Sequence, residues 1–376
     1  MKNKQIRNED IEGYAEQADD ESADPLENIK EPFDPNQISI IPQTLSIDNL
    51  IARIRNKEID LHTAFQRRPN LWKPEVQSRL IESLMLKLPL PAFYFDATID
   101  DKWLIVDGLQ RLSTLKNFII DESFLLTGLE ILKAFDRKDF SFSKLPRSMQ
   151  RRISEANITC YLISPGTPPK VKYNVFKRIN TGALSLNEME IRNALNQGTA
   201  SDYLKEFTES DRFKKLIKLP SDRMEDRELV LRCITFMRTP YSKYESPLGS
   251  FLDRGMEDLH NISRTEFTII CDSICRSIEL HTKIWAGDRF SRSVIGSNNR
   301  YKLNSALFEA WVVVLSKLSQ NEIETVLKNE DKLKSEYKKL FSDKAFNDSV
   351  TTSTASIKAV TTRFKYIEKI INTYKS

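Results

Sequence analysis

The feature that most limits what this chain can fold into is a change of hydrophobic period at Gly108. Residues 102–106 (K-W-L-I-V) read as a β-rich run into Asp107-Gly108, and beyond the glycine Leu112, Leu115 and Ile119 recur at helical spacing. A strand must therefore end, and a helix begin, within about two residues. The preceding run, 92–99, is also β-rich and is separated from 102–106 by Asp100-Asp101, which predicts a hairpin. Upstream, Ser46 is placed to cap a helix to Arg55 with Ile47, Leu50, Ile51 and Ile54 on one face. Residues 58–65 then read as a short extended segment, and Pro74 suits the first position of a helix whose apolar stripe is Val76, Leu80, Ile81, Leu84 and Leu88. Thr127-Gly128 suggests another hairpin, residues 146–155 a helix, and residues 158–163 a strand closing the small sheet.

From Pro168 onward strand signals almost vanish, and helices are expected at 169–180, 186–196, 201–217, 223–238, 264–285 and 301–318, with weaker helical signal to the C-terminus. Residues 349–356 (S-V-T-T-S-T-A-S) read as a low-complexity loop. The pattern predicts an α+β protein: a small mixed-sheet domain over 38–165, followed by a helical domain over 166–376. Residues 1–35 hold 11 Asp/Glu against 4 Lys/Arg, are poor in aromatics and are broken by Pro25, Pro32 and Pro35, so residues 1–37 are expected to form a disordered acidic arm. The other residues carry 53 basic against 42 acidic side chains, a net +11 that permits a polyanionic partner such as DNA without requiring one. No apolar run reaches the length of a membrane span and the first residues lack an apolar signal core, so a cytoplasmic protein with no membrane partner is expected. Cys160, Cys233, Cys271 and Cys275 form no C-x-x-C pair and read as reduced, buried thiols. His62, His260 and His281 show no metal-ligand spacing, and there is no P-loop, G-x-S-x-G or H-x-x-x-H motif.

Chemistry concentrates at three places. At Asp107-Gly108-Leu109-Gln110-Arg111, a helix N-terminus offers unpaired N–H groups and the positive end of the helix dipole, for which phosphate is the natural guest. Arg111 in the first turn would add a charge-assisted bond, and Ser113 or Thr114 a hydroxyl. Asp107 is oddly placed for an anion site: it either binds a metal, orients Arg111 or a sugar hydroxyl, or caps the helix. The second cluster is Arg178-Ile179-Asn180-Thr181-Gly182 followed by Leu186-Asn187-Glu188-Met189-Glu190, with Arg192 and Asn193 behind. Ser185 and Glu188 fit a capping box and Gly182 a helix end, whereas Arg178, Asn180, Glu190 and Arg192 gather polar ligands that would suit Mg2+ beside phosphates. The third is Gln66-Arg67 near Trp72, which also fits a surface turn packed by an aromatic. Arg289, Arg292 and Arg300 around Tyr301 suit either a nucleic-acid contact or a solvated basic loop.

Taken in order, F-Q-R-R-P-N-L-W at 65–72, S-R-L-I-E-S-L at 78–84, L-P-L-P at 88–91, I-V-D-G-L-Q-R-L-S-T-L at 105–115, F-K-R-I-N-T-G at 176–182 and L-N-E-M-E-I-R-N-A-L at 186–195 carry a resemblance. The chain resembles the N-terminal domain family of GmrSD-type, modification-dependent restriction enzymes, whose fold is similar to the ParB and sulfiredoxin nucleotide-binding fold. The resemblance implies a nucleoside triphosphate and Mg2+ as cofactors, used in bacterial defence against foreign DNA. It implies Asp107, Gln110 and Arg111 as catalytic, and Gln66, Arg67, Gly108, Ser113, Thr114, Arg178, Asn180, Thr181 and Gly182 as nucleotide-binding, with Asn180 and Glu190 at the metal. Two positions depart from the family pattern: Leu109 stands where a first glutamine is usual and Ala183 where a second glycine is common. If that glutamine orients water, binding would outlast hydrolysis. Large family members also carry an H-N-H-like nuclease domain, which three dispersed histidines do not supply, so a separate nuclease partner is implied. Two functional classes follow: an NTP-hydrolysing factor of a restriction or defence system that acts on or senses DNA, and a non-catalytic nucleotide- or DNA-binding module that regulates a nuclease. Self-association is compatible with both.

Overall fold

The structure is a computed structural model that describes residues 11–12, 39–59, 61, 72–99, 102–136, 139–167, 171–172, 175, 179, 187–217, 223–285, 290–291 and 303–375. The chain divides into two compact units, residues 31–195 and residues 196–376 together with 1–30. Of the expected acidic arm, Ile11–Glu12 is described, paired in parallel with Leu303–Asn304. The rest of the arm lies outside the described residues, as does the Asp100-Asp101 turn.

The first unit is built on a four-stranded mixed sheet. Its strands are β1 (Ile40–Ser46), β2 (Phe93–Ile99), β3 (Lys102–Asp107) and β4 (Asn157–Ile163), in the spatial order β1-β4-β2-β3. β1 runs antiparallel to β4, β4 parallel to β2, and β2 antiparallel to β3, with a register shift between Tyr94 and Phe95. The strand expected to close the sheet is thus an interior one: β4 reads I-T-C-Y-L-I with Ile158, Cys160 and Ile163 buried, as suits a strand paired on both edges. Helices α1 (Ile47–Arg55), α2 (Pro74–Met85), α3 (Leu109–Ile119) and α4 (Arg147–Ser154) supply the packing layer. Ser46 caps α1 as expected, its hydroxyl accepting the Asn49 N–H at 3.2 Å. The four predicted apolar residues of α1 are buried together with Ile81, Leu84, Phe95, Leu112, Leu115 and Phe118 in one core. Each such side chain contributes about 1.5–3 kcal/mol of burial free energy.

Two expectations for this unit are corrected. In α2 the expected stripe is buried at Leu80, Ile81 and Leu84, but its ends Val76 and Leu88 are exposed, and Gln77, Ser78 and Glu82 go inward beside it. The reason is the segment after α3. Thr127-Gly128 forms no strand, and this loop spends its backbone donors on α2 side chains: Thr127 N–H donates to Ser78 Oγ at 3.1 Å, and Glu130, Ile131 and Leu132 N–H all donate to the Glu82 carboxylate at 2.6–2.9 Å. On the opposite face of the sheet a smaller core joins Val106 and Ile163 to Ile191 of α5 (Glu188–Leu195), so α5 groups with the sheet.

The second unit is mostly helical: α6 (Thr199–Glu209), α7 (Asp211–Leu216), α8 (Glu225–Arg238), α9 (Leu248–Leu259), α10 (Arg264–Trp285), α11 (Ser305–Leu315), α12 (Gln320–Lys328), α13 (Glu330–Leu340), α14 (Lys344–Ser349) and α15 (Ile357–Tyr374). The helix expected over 201–217 is broken at Ser210, whose hydroxyl caps α7 by accepting the Phe213 N–H at 3.3 Å. Asn304 sets the start of α11 in the same way, through the Leu307 N–H at 2.9 Å, which is why that helix begins later than residue 301. α9 was not expected because Gly249 and Gly255 weaken its helical pattern; a Cβ at Gly255 would overlap Thr235 of α8, so the glycine serves a close helix contact. α11 is buried on every side, as its sequence S-A-L-F-E-A-W-V-V-V-L demands, and it carries one charge inside the core: Glu309. That carboxylate accepts from Arg232 Nη1 at 3.2 Å and from Arg363 Nε at 3.1 Å, and Arg232 Nε also donates to Glu228 Oε1 at 3.0 Å. Among the described residues no helix is long and apolar enough to cross a membrane.

Candidate functional site

The change of period at Gly108 becomes a sharp strand-to-helix turn. β3 ends at Asp107, Gly108 takes the left-handed conformation (φ 107°, ψ 9°), and α3 starts at Leu109 with no side chain capping its first turn. Glycine is required there on two counts, the positive φ and the Phe93 ring, which a Cβ would overlap at Cδ1. The absent side chain is therefore spent on packing against the protein itself.

Arg111 is 9% exposed and faces backwards from the turn. Its Nη1 donates to the Pro91 carbonyl, and its Nη2 to the Ala92 carbonyl at 3.2 Å and to Asp107 Oδ2 at 2.6 Å. The guanidinium carbon also lies 4.4 Å from the centre of the Phe93 ring. Burial pulls the Arg111 guanidinium below its usual value, opposed by the paired Asp107. Arginine nonetheless stays charged throughout the accessible range. Asp107 keeps 36% of its side chain exposed and sits opposite Tyr94 in the sheet. Tyr94 stacks on Tyr161 at 4.9 Å, and its phenol is pushed up by burial and by its neighbours Tyr161 and Asp107. Leu109 and Gln110 are partly exposed, so the rim of the turn holds Asp107, Leu109 and Gln110.

The other expected ligands sort differently. Ser113 and Thr114 lie on the buried side of α3, 2% and 1% exposed; Thr114 Oγ1 donates to the Gln110 carbonyl at 2.8 Å, and the Ser113 hydroxyl is enclosed without a hydrogen-bond partner. In this structure neither hydroxyl reaches the rim. Glu190 is fully buried, its Oε2 accepting the Asn187 N–H at 2.6 Å while Asn187 Oδ1 accepts the Glu190 N–H at 2.8 Å. Asn187 with Glu190 thus forms a reciprocal capping pair at the start of α5, while Ser185 of the expected Ser185–Glu188 box lies outside the described residues. Among the described residues no group of three or more His, Cys, Asp or Glu could hold a metal ion, and Asn180, the expected companion of Glu190 at the metal, lies outside them. Gln66, Arg67, Arg178, Asn180, Thr181, Gly182 and Ser185, with His62, Ala183 and the basic loop of Arg289, Arg292, Arg300 and Tyr301, lie outside the described residues.

Residues 47–197 match the family model described as GmrSD restriction endonuclease, N-terminal domain. This stretch is similar to the GmrSD N-terminal domain. No curated protein matches the chain. The match runs from α1 through α5, so it takes in three strands of the sheet but not β1, both faces of its packing, and the Asp107-Gly108 turn.

Sequence reasoning missed polar groups that support this domain. Asp96, 5% exposed on β2, pairs with Lys172 at 2.8 Å and accepts the Thr98 N–H at 2.9 Å. A lone carboxylate inside the run F-Y-F-D-A-T-I was the available signal, since a buried charge needs a partner. The cysteines are buried as expected, and burial pushes the Cys160 thiol up to about 11, which keeps it protonated and unreactive. His281 is a core residue stacked on Phe290 and Trp285, its imidazole brought down to about 3 by burial.

Proposed function

We propose that this chain is a nucleoside-triphosphate-binding and hydrolysing component of a bacterial restriction or defence system that acts on or senses DNA. The observation that carries the reading is the uncapped first turn of α3, presented at the end of β3 inside the stretch similar to the GmrSD N-terminal domain. Such a turn offers N–H donors and the positive end of an 11-residue helix dipole to a phosphate group. Gln110 is placed in that turn to orient a phosphate oxygen or a water, and Asp107 stands beside it. The resemblance adds Gln66, Arg67, Arg178, Asn180, Thr181 and Gly182 as further phosphate ligands. Asn180 and Glu190 would stand at a Mg2+ ion beside the phosphates, with Glu190 also capping α5 through the Asn187 N–H. Catalysis in this reading is positional and electrostatic, as phosphoryl transfer generally is.

A second reading, a non-catalytic nucleotide- or DNA-binding module that controls a separate nuclease, is favoured by the enclosed hydroxyls of Ser113 and Thr114 and by the internal commitments of Arg111. Phosphate release from each of the four NTPs in Mg2+ buffer, with and without DNA, separates the two. Release that Gln110→Ala abolishes supports an NTPase; binding by calorimetry without release supports the regulatory module; absence of both rejects the nucleotide reading.

A further inference from the structure

We propose that Asp107 is the side chain of the turn that meets the nucleotide, that its Oδ1 accepts a hydroxyl of the sugar, and that Arg111 is the positioning residue that aims it. This rests on the nucleotide reading above and reverses the roles that the residue types suggest on their own.

The donors of Arg111 face the protein. The Pro91 and Ala92 carbonyls, Asp107 Oδ2 and the Phe93 ring surround the guanidinium, and the residue is 9% exposed. A phosphate would have to displace bonds already made in a desolvated place. Asp107 has the opposite arrangement: its side chain is 36% exposed, and of its two oxygens only Oδ2 carries a hydrogen bond among the described residues. A carboxylate with one oxygen fixed by a charged donor and the other open is held in one orientation, which is what a directional acceptor requires.

The charge balance then selects the ligand. Asp107 and Arg111 together are neutral, so the pull on a divalent cation is largely cancelled, and no cluster of ligating side chains stands nearby among the described residues to complete a coordination shell. A neutral O–H loses little by that cancellation, because it needs only the lone pair at Oδ1. Since Oδ2 is taken, one hydroxyl is accepted and not a pair. Position agrees with this. Asp107 is two residues before Leu109, so a phosphate on the first turn of α3 lies within roughly 8 Å along the backbone, the scale that separates the phosphates from the sugar of one nucleotide.

The test measures binding of ribonucleoside triphosphates, their 2′-deoxy and 3′-deoxy forms, and inorganic triphosphate by calorimetry. The proteins are the wild type, Asp107→Asn and Arg111→Lys, each checked for a native thermal melt. The wild type should prefer the ribose form over one deoxy form by roughly ten- to a hundredfold, the worth of a hydrogen bond to a charged group. Asp107→Asn should erase that preference while leaving inorganic triphosphate affinity unchanged. Arg111→Lys should reduce the preference in the same way, again without weakening inorganic triphosphate. Equal affinity for all sugar forms in the wild type overturns the proposal, as does a preference that survives Asp107→Asn. Loss of inorganic triphosphate binding in Arg111→Lys returns Arg111 to the phosphate and overturns it too. Failure of the wild type to bind any nucleotide or triphosphate is a different result, which removes the nucleotide reading and this proposal with it.

Discussion

The Glu82 carboxylate receives three successive backbone N–H groups, from Glu130, Ile131 and Leu132, and so holds in place a loop with no sheet partners of its own. Burial pushes this carboxyl up, and the three N–H groups together with Lys133 outweigh it, leaving it below its usual value. A carboxylate depressed in this way stabilises the fold at pH values above about 4.3, its unperturbed value, and that contribution is lost as the pH falls through the folded-state value. Glu82→Gln should therefore cost about 1–3 kcal/mol in urea unfolding at pH 7, with the difference from wild type shrinking toward pH 3. A difference that is flat with pH would show that the charge is not what binds the loop. At this scale the sequence is readable for residue type and much less so for direction. Arg111 stands out as a charged residue in the first turn of a helix, but Pro91 and Ala92 reach it only when the entry to β2 packs on α3, and nothing local encodes that meeting. Glu190 is readable as a carboxylate near a helix start, and its side chain turns out to serve that start.

In the second unit, α8, α11 and α15 share one buried ionic chain, Glu228–Arg232–Glu309–Arg363, in which Arg232, Glu309 and Arg363 are almost wholly enclosed. Arg363 Nη1 also donates to the Thr354 carbonyl at 2.6 Å and to the Ser349 carbonyl at 3.3 Å, which ties α15 to the loop that precedes it. Arg363→Met removes one member and leaves Glu309 with less compensation, so a loss of about 3–5 kcal/mol is expected by denaturant unfolding. A loss below about 1 kcal/mol would mean that Arg232 alone suffices. Elements were legible where one face is apolar and the ends carry caps: α1, α8 and α10 lie where periodicity puts them, within two residues at each end. They were illegible where contacts between elements replace local signal. α9 carries glycines for close packing on Thr235, and the break between α6 and α7 depends on a single serine hydroxyl.

Over the whole chain, the order of elements from a mixed sheet to a helical region was readable because period two gives way to period 3.6 after β4. Strand order was not, since alternation shows that a strand is half-buried without naming its neighbours. Residues 31–195 enclose a continuous core of their own between the sheet and α1–α4. Expressed alone, that segment should melt in one cooperative transition by circular dichroism; a broad, non-cooperative profile would show that it borrows stability from elsewhere. The placement of β4 inside the sheet also governs how the protein is made. β2 and β3 are close in sequence and can pair as soon as they emerge from the ribosome, but β1, the first strand of the sheet to be translated, has Asn157 to Ile163 as its partners. At about 5–20 residues per second, several seconds of synthesis separate β1 from β4. Throughout that interval the nascent chain displays two unsatisfied strand edges and half a core, a window in which chaperone engagement would decide yield.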